Sequence, residues 1–164
     1  MSAPPFEPIV ANSGFETGLL APWIPSDPAA ATIANGTQAY TGDYYLALRN
    51  APGNRPNWVH QPLNDLDAST NYTVTAQVSG PAVSAANYCS AWIHVGANVT
   101  TGLIDRVDLS YDDFGKWLTL EGQFQPKSDS VELYLRAACT LSGASHTSAL
   151  FWDDIIVAPA PVLD

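Results

Sequence analysis

Two carboxylates at opposite ends of the chain have the clearest chemical potential. Asp153 interrupts the hydrophobic run LFWDDIIV (150–157), and Glu16 belongs to IVANSGFETG (9–18). Both segments read as β-strands, and alternation along the second strand gives Asp153 the same face as Phe151, Ile155 and Val157. An ionised carboxylate on a core-facing side needs a cation or several hydrogen bonds to offset its desolvation.

A calcium ion is one answer to that need. First and last strands of an antiparallel sandwich are often neighbours, so we expect Glu16 and Asp153 to share a site. Hard oxygen ligands without Cys or His indicate Ca²⁺, completed by backbone carbonyls, with Asp43 of YTGDYY as a further ligand candidate. The alternative is that Asp153 accepts hydrogen bonds from loop amides while Glu16 is a solvated loop residue.

A second set of chemically useful side chains alternates with apolar residues on two predicted strands. One strand, NYCSAWIHV, directs Tyr88, Ser90, Trp92 and His94 outward; the other, VELYLRAACT, directs Glu132, Tyr134 and Arg136 outward. Trp58 and His60 of NWVHQ extend the set. Aromatic rings among hydrogen-bonding groups on an outer sheet face are typical of a ligand site. Alternatively, the loop YDDFGKW (111–117) folds over this face and buries it.

The elements that must position these residues are short strands. The 164 residues fit one domain, 1–164, with APAPVLD (158–164) as a tail or linker. Thirteen prolines, eleven glycines and the absence of a 3.6-residue period favour an all-β fold. About ten turn-bounded strands, from TIANGTQAY to LFWDDIIV, predict a jelly-roll β-sandwich of two antiparallel sheets.

Charge and composition exclude several partners. The net charge of −10 disfavours nucleic acid and anionic membranes, because binding them requires clustered Lys and Arg. No apolar run is long enough to span a bilayer.

Among enzymes, a glycosidase is disfavoured, because the sequence lacks a convincing carboxylate pair. Two alternatives stay open for the aromatic face: β-elimination on a polysaccharide, and cyclisation or isomerisation of a hydrophobic small molecule. A structural cell-surface domain is a third.

Cysteines and sequons bear on the compartment. Cys89 and Cys139 both fall on inward faces and either form a disulfide or remain two buried thiols. Asn35, Asn71 and Asn98 begin Asn-X-Thr sequons, which favour a secreted glycoprotein. MSAPPFEP has no apolar signal core, so either Met1 follows a removed signal peptide or it is the native start of a cytoplasmic chain.

Six motifs in order now carry a family resemblance: NSGFETGLLAPW, YTGDYYLALR, VHQPL, NYTVTAQV, KWLTLEGQF and LFWDDIIV. Together they resemble the cenC-type carbohydrate-binding modules of the family 4/9/22 group, over residues 8–157. The chain is most similar to fungal secreted members, which have a cysteine on each of two central strands.

The resemblance implies a β-jelly-roll, a structural Ca²⁺ near the chain ends and glycan binding on a concave sheet face or at loop tips. By position, the calcium ligands fall on Glu16, Asp153 and backbone around Asn12, Gly14 and Thr41 to Asp43. The binding aromatics correspond loosely to Tyr88, Trp92 and Tyr134. We therefore expect a secreted or cell-wall monomer that binds a neutral polysaccharide or oligosaccharide without catalysis.

Overall fold

The computed structural model describes residues 8–81, 86–141 and 148–161. Met1 and the last three residues of the predicted tail lie outside this range. The described residues form ten strands: β1 Ile24–Pro25, β2 Ala31–Asn35, β3 Tyr44–Arg49, β4 Asn57–Leu63, β5 Tyr72–Ser79, β6 Ala86–Gly96, β7 Leu103–Ser110, β8 Trp117–Phe124, β9 Val131–Leu141 and β10 Ala149–Pro159. Two 3₁₀ turns, Pro28–Ala30 and Tyr111–Asp113, join them. No helix in the described part of the chain is long and apolar enough to cross a membrane.

The strands pair into two antiparallel five-stranded sheets. The front sheet has the order β1-β4-β9-β6-β7, and the back sheet has the order β2-β3-β10-β5-β8. Apart from β2–β3 and β6–β7, neighbouring strands are not consecutive in the chain, as in a sandwich with crossover connections. The all-β, two-sheet prediction is confirmed.

The core between the sheets follows from period-2 alternation. On β5, Tyr72, Val74, Ala76 and Val78 are buried, and the intervening residues are half-buried. The inward faces of β6 and β9 are also buried as predicted: Cys89, Ala91, Ile93 and Val95 on one, Leu133, Leu135, Ala137 and Cys139 on the other. These inward residues fix which side chains of the same strands face outward.

The two cysteines lie directly opposite each other on β6 and β9 and form a disulfide. The reading of Cys89 and Cys139 as free thiols is therefore wrong. The bridge closes a loop over a sequence separation of 50, which in the chain-entropy account stabilises the fold by about 4 kcal/mol. It also anchors the two strands that carry most of the outward aromatic residues.

The face assignment on β10 needs correction. A β-bulge shifts the register between Asp153 and Ile156, and Asp154 has a φ of 49°. Trp152 rather than Phe151 therefore faces the core before the bulge, while Ile155 and Val157 face it afterwards. Strict alternation fails because a bulge adds one residue to one side of the ladder. Trp152 is fully buried in the interior of β10.

The predicted first strand is also absent. Residues 8–19 form turns and bends, although Ser13 still accepts a hydrogen bond from the Ile155 amide at 2.9 Å. The segment thus lies beside β10, as expected for the two ends of a sandwich, without pairing as a strand. Left-handed backbone at Asn12 (φ 50°) and Phe15 (φ 59°) explains the turns.

Candidate functional site

The outward side chains of β4, β9, β6 and β7 form one continuous surface, here called the front face. It comprises Trp58, His60, Tyr88, Ser90, Trp92, His94, Arg106, Asp108, Glu132, Tyr134 and Arg136. Strand register arranges them in rows across the sheet. One row runs Trp58, Arg136, Trp92, Arg106, and the next runs His60, Tyr134, His94. Every predicted ligand-binding residue lies on this face.

Trp92 lies between two guanidinium groups. Arg136 is 4.5 Å and Arg106 is 5.3 Å from the centroid of its ring, and the two arginines come from the strands on either side. These are cation–π distances. Trp92 therefore acts as a support that positions two arginines, and its ring is less available for sugar stacking than the sequence suggested.

The second row is a stack of rings. His60 and Tyr134 are stacked with centroids 5.1 Å apart, and His60 Nδ1 lies 2.9 Å from a Glu132 carboxylate oxygen. The relative solvent-accessible surface is only 8% for Tyr134 and 4% for His94. The expectation that both are exposed is therefore wrong. Burial and the Glu132 charge raise the pKa of Tyr134, which disfavours it as the base of an elimination reaction.

His94 presents an unpartnered nitrogen. Its Nδ1 lies 3.2 Å from the carbonyl oxygen of Thr101, which can only accept, so Nδ1 carries the hydrogen. Burial lowers the pKa of His94, the Thr101 carbonyl opposes that change, and the nearby Arg136 charge lowers the pKa further. The ring is therefore neutral at pH 7. Its Nε2 is buried without a hydrogen-bond partner among the described residues and offers a lone pair.

The arginines differ in their partners. Arg106 places Nε and Nη2 each 3.1 Å from Asp108 Oδ1, and Ser90 donates to the same oxygen at 2.5 Å. The pKa of Asp108 is lowered, mainly by that Ser90 hydrogen bond. Arg136 has no such carboxylate among the described residues, and its Nε is buried with no acceptor. Burial and the Arg106 charge lower the pKa of Arg136.

The loop predicted to cover this face is anchored elsewhere. In residues 111–117, Gly115 donates to the Gly80 carbonyl at the end of β5, and Phe114 packs on Gly80 and the core. Tyr88 retains 46% of its exposure and Trp58 and Trp92 are half-buried. Grooves of about 470, 450 and 380 Å³ lie at the sandwich ends and the back sheet, lined by other residues. Within the described ranges, the front face is thus an open surface.

The predicted carboxylate site forms around Gly14. A Cβ on Gly14 would lie 3.5–3.7 Å from Asp154 Oδ1, Glu16 Cγ and Asp153 Oδ1, so three acidic side chains converge there. Asp153 Oδ2 accepts from the amides of Tyr40 and Thr41 at 3.0 and 3.1 Å, and Oδ1 accepts from the Asp154 amide. Burial raises the pKa of Asp153 to about 6, against these hydrogen bonds and with help from the Asp154 charge.

Glu16 holds the other end of the same loop. Its Oε1 accepts from the amides of Asp43 and Tyr44 at 3.0 and 3.2 Å. A side chain on Gly42, at φ 65°, would overlap this carboxylate, so glycine permits the close approach. The alternative in which Asp153 accepts hydrogen bonds from loop amides is therefore confirmed. Glu16 also accepts hydrogen bonds from loop amides and is not only solvated.

The remaining predicted calcium ligands have other contacts. The Asn12 carbonyl accepts from Phe15 N and Trp23 Nε1, and its side-chain amide donates to the carbonyls of Leu19 and Ala21. The Asp43 carbonyl accepts from Gly36 N. Thr41 Oγ1 donates to Asp154 Oδ1 at 2.6 Å. Within the described ranges, no cluster of three or more His, Cys, Asp or Glu side chains has metal-binding geometry.

The donor set nevertheless fits a hard cation. The carboxylates of Glu16 and Asp153 both accept hydrogen bonds from amides of residues 40–44, and Asp153 is completely buried without an ion pair among the described residues. Backbone oxygens of the turns around Gly14 and Thr41 would have to complete the coordination, which is a common arrangement for Ca²⁺.

Arg106 and Asp108 are functional-face residues that the sequence analysis missed. They lie on β7, LIDRVDLS, where the pairing with β6 has a register shift opposite Ile93 and His94. The preceding loop residues 99–102 made the stretch VTTGLIDRVDL look irregular. The useful signal was the spacing of two charges at i and i+2, which places both on one face of a strand.

The fold and the open front face together define a β-sandwich of the carbohydrate-binding class. The chain belongs to the family CBM_4_9, described as "Carbohydrate binding domain", whose profile matches residues 7–142. This confirms the carbohydrate-binding part of the predicted resemblance. No curated protein matches the chain in sequence at a significant level.

Solved structures share the fold at low sequence identity. One is TmCBM61 in complex with β-1,4-galactotriose, with a TM-score of 0.69 and 17% identity over 94% of this chain and all of that one. A xylan-binding CBM22 domain has a TM-score of 0.65 and 20% identity, covering 98% of this chain and all of that one. The CBM22-1 xylan-binding domain of Paenibacillus barcinonensis Xyn10C has a TM-score of 0.63 and 18% identity, covering 92% of this chain and 94% of that one. These matches confirm the jelly-roll prediction.

Proposed function

We propose that this domain binds a polysaccharide or oligosaccharide on its front face without chemistry. The observation that carries the proposal is an open, rigid sheet surface where partly exposed aromatic rings alternate with hydrogen-bonding groups. Sugar rings stack their C–H faces on aromatic rings, while charged and polar side chains bond to the hydroxyls. The family supports this function, and the xylan and galactotriose bound by its structural neighbours indicate the ligand class.

Within this proposal the polysaccharide backbone is neutral. The chain has six basic and sixteen acidic residues, so a polyanion would be repelled overall. The domain acts as a secreted or cell-wall monomer in this proposal, and the Cys89–Cys139 disulfide supports an oxidising compartment. The sequon residues Asn35, Asn71 and Asn98 are exposed, which suits the predicted glycosylation. The similarity to fungal secreted members stays a prediction.

The proposal includes a structural Ca²⁺ near the chain ends. Glu16 and Asp153 would hold it, with backbone oxygens around Gly14 and Thr41. The ion would neutralise a buried negative charge and tie the loop of residues 36–43 to the N-terminal turns. The fit of the donor set supports this role, and it concerns stability rather than sugar contact.

The function is tested by affinity electrophoresis and calorimetry with soluble xylan and galactan. Tyr88 and Tyr40 are a matched pair, since they are 46% and 45% exposed on the front and back sheet sides, respectively. Tyr88→Ala should weaken binding about three- to tenfold through loss of ring stacking, whereas Tyr40→Ala should leave it unchanged. Equal loss in both variants, or no binding of either polysaccharide by the wild type, would refute a front-face site for them.

A further inference from the structure

Among the described residues of the front face, Arg136 is the cationic side chain that lacks a carboxylate partner. Arg106 is paired with Asp108, and Glu132 lies 2.9 Å from His60 Nδ1. Arg136 has no ion pair or hydrogen bond within the described residues, and its buried Nε has no acceptor. A buried donor on a cation is costly unless an acceptor meets it.

Arg136 is packed against an aromatic ring. It lies on β9 between Trp58 and Trp92 in the cross-strand row, and its guanidinium rests 4.5 Å from the Trp92 centroid. Arg106 adds a second positive charge on the other side of Trp92. A planar guanidinium held in this way is suited to a carboxylate, which it binds through two parallel hydrogen bonds.

We propose that Arg136 binds the carboxylate of a uronic acid residue in an otherwise neutral polysaccharide. The proposal rests on front-face carbohydrate binding and adds the chemical class of one sugar in the ligand. A single uronate on a neutral chain agrees with the acidic protein, because one local charge pair is enough and a polyanion is not required.

His94 supplies the complementary contact. Its lone pair on Nε2 has no donor among the described residues, while Nδ1–H is committed to the Thr101 carbonyl. A sugar hydroxyl is a donor of the kind that Nε2 lacks. The ligand therefore offers an acceptor to Arg136 and a donor to His94, which a uronic acid does with its carboxylate and its hydroxyls.

The test compares one polysaccharide in two forms. A soluble xylan carrying glucuronic acid side groups is used as such, and after carbodiimide activation and borohydride reduction, which convert each carboxylate into a primary alcohol. The ratio of the two dissociation constants, measured by calorimetry at low salt, is the readout. For the wild type we expect the carboxylate form to bind about tenfold more tightly or better.

Two substitutions and a control assign the effect. Arg136→Met removes the charge and should bring the ratio to within about twofold of unity, while Arg136→Lys keeps the charge but not the fork and should give an intermediate ratio. Lys116→Met is the control, because it removes one exposed positive charge next to β8 of the back sheet, outside the front face. It should keep the wild-type ratio. Thermal unfolding shows whether each variant is folded.

The outcomes separate this inference from the proposed function. Equal binding of both xylan forms by the wild type overturns the uronate contact and leaves polysaccharide binding intact. A wild-type preference that survives in Arg136→Met overturns the role of Arg136. Should the wild type bind neither form, nor any neutral polysaccharide, both proposals fail. If Arg136→Met does not fold, the ratio measured with Arg136→Lys decides: an unchanged value also overturns the role.

Discussion

Asp153 and Arg136 carry charges of opposite sign and differ in their hydrogen-bond partners. Asp153 is completely enclosed, yet three backbone amides donate to it. Arg136 is half-buried on the front face and its Nε receives nothing from the described chain. The protein satisfies the first charge with its own backbone, whereas it leaves the second to an external acceptor. The difference separates a group that holds the structure from one that is available to a ligand.

Replacing each charge by an apolar residue of similar size gives the largest expected contrast. Asp153→Leu strands the amides of Tyr40 and Thr41 and should lower the free energy of unfolding by about 3 kcal/mol. Arg136→Met strands no partner and should change it by less than about 1 kcal/mol. Urea unfolding of both variants measures this. Equal destabilisation would show Arg136 to be a structural residue and end the comparison.

Calcium chelation tests the structural role of Asp153. An ion bound only by the native state stabilises it by about 2.7 kcal/mol at a hundred times its dissociation constant. We expect a chelator to lower the stability of the wild type by about this amount and that of Asp153→Asn by much less. Sugar binding by the protein that remains folded should not change. An identical wild-type unfolding curve with and without chelator would reject the calcium site.

Two tryptophans extend the contrast from charges to rings. Trp152 fills the core completely, while Trp92 is half-buried and packs on two arginines. Trp152→Ala should cost about 3–5 kcal/mol of stability. Trp92→Ala should cost about 1 kcal/mol of stability and bring the ratio of the two xylan dissociation constants close to unity, because Arg136 loses its support. A folded Trp92→Ala variant that keeps the wild-type ratio would contradict that dependence.

Alternation in the sequence was enough to predict the core, the outward residues of β6 and β9, and the inward cysteines. It failed where the backbone departs from a regular ladder. The bulge with Asp154 in left-handed conformation exchanged Phe151 for Trp152 in the core, and the loop residues 99–102 before β7 obscured Arg106 and Asp108. A bulge depends on tertiary partners such as Thr41, whose hydroxyl binds Asp154, and those partners are 113 residues away.

The contacts of each site residue could not be predicted from the sequence either. Trp92 looked like an exposed stacking ring because it is outward and aromatic. Only the register with β7 and β9 shows that two arginines flank it. The sequence predicted a shared site for Glu16 and Asp153, because the ends of a sandwich are often neighbours. The amide donors of residues 40–44 that both carboxylates accept are shown only by the fold.

The smallest expected effect is the pH dependence of stability that arises from His94, which is neutral in the native protein at pH 7. Burial and the Arg136 charge lower its pKa in the native protein, with Tyr134 and the Thr101 carbonyl beside it. Since the unfolded pKa is about 6.5, its contribution to stability is complete above that pH and is lost as the pH falls toward the lower native value. Stability should therefore decline from pH 7.5 to 5, with a smaller decline in His94→Gln.

The same protonation should weaken sugar binding, because a charged His94 has no lone pair on Nε2 to accept a hydroxyl and lies near the Arg136 charge. Affinity for neutral, carboxyl-reduced xylan should fall with pH over the range in which stability declines, and His94→Gln should flatten both profiles together. His60 is the other histidine among the described front-face residues, so His60→Gln is the control that should leave the His94-dependent difference in place. A pH profile of affinity unchanged by His94→Gln would remove His94 from the ligand site.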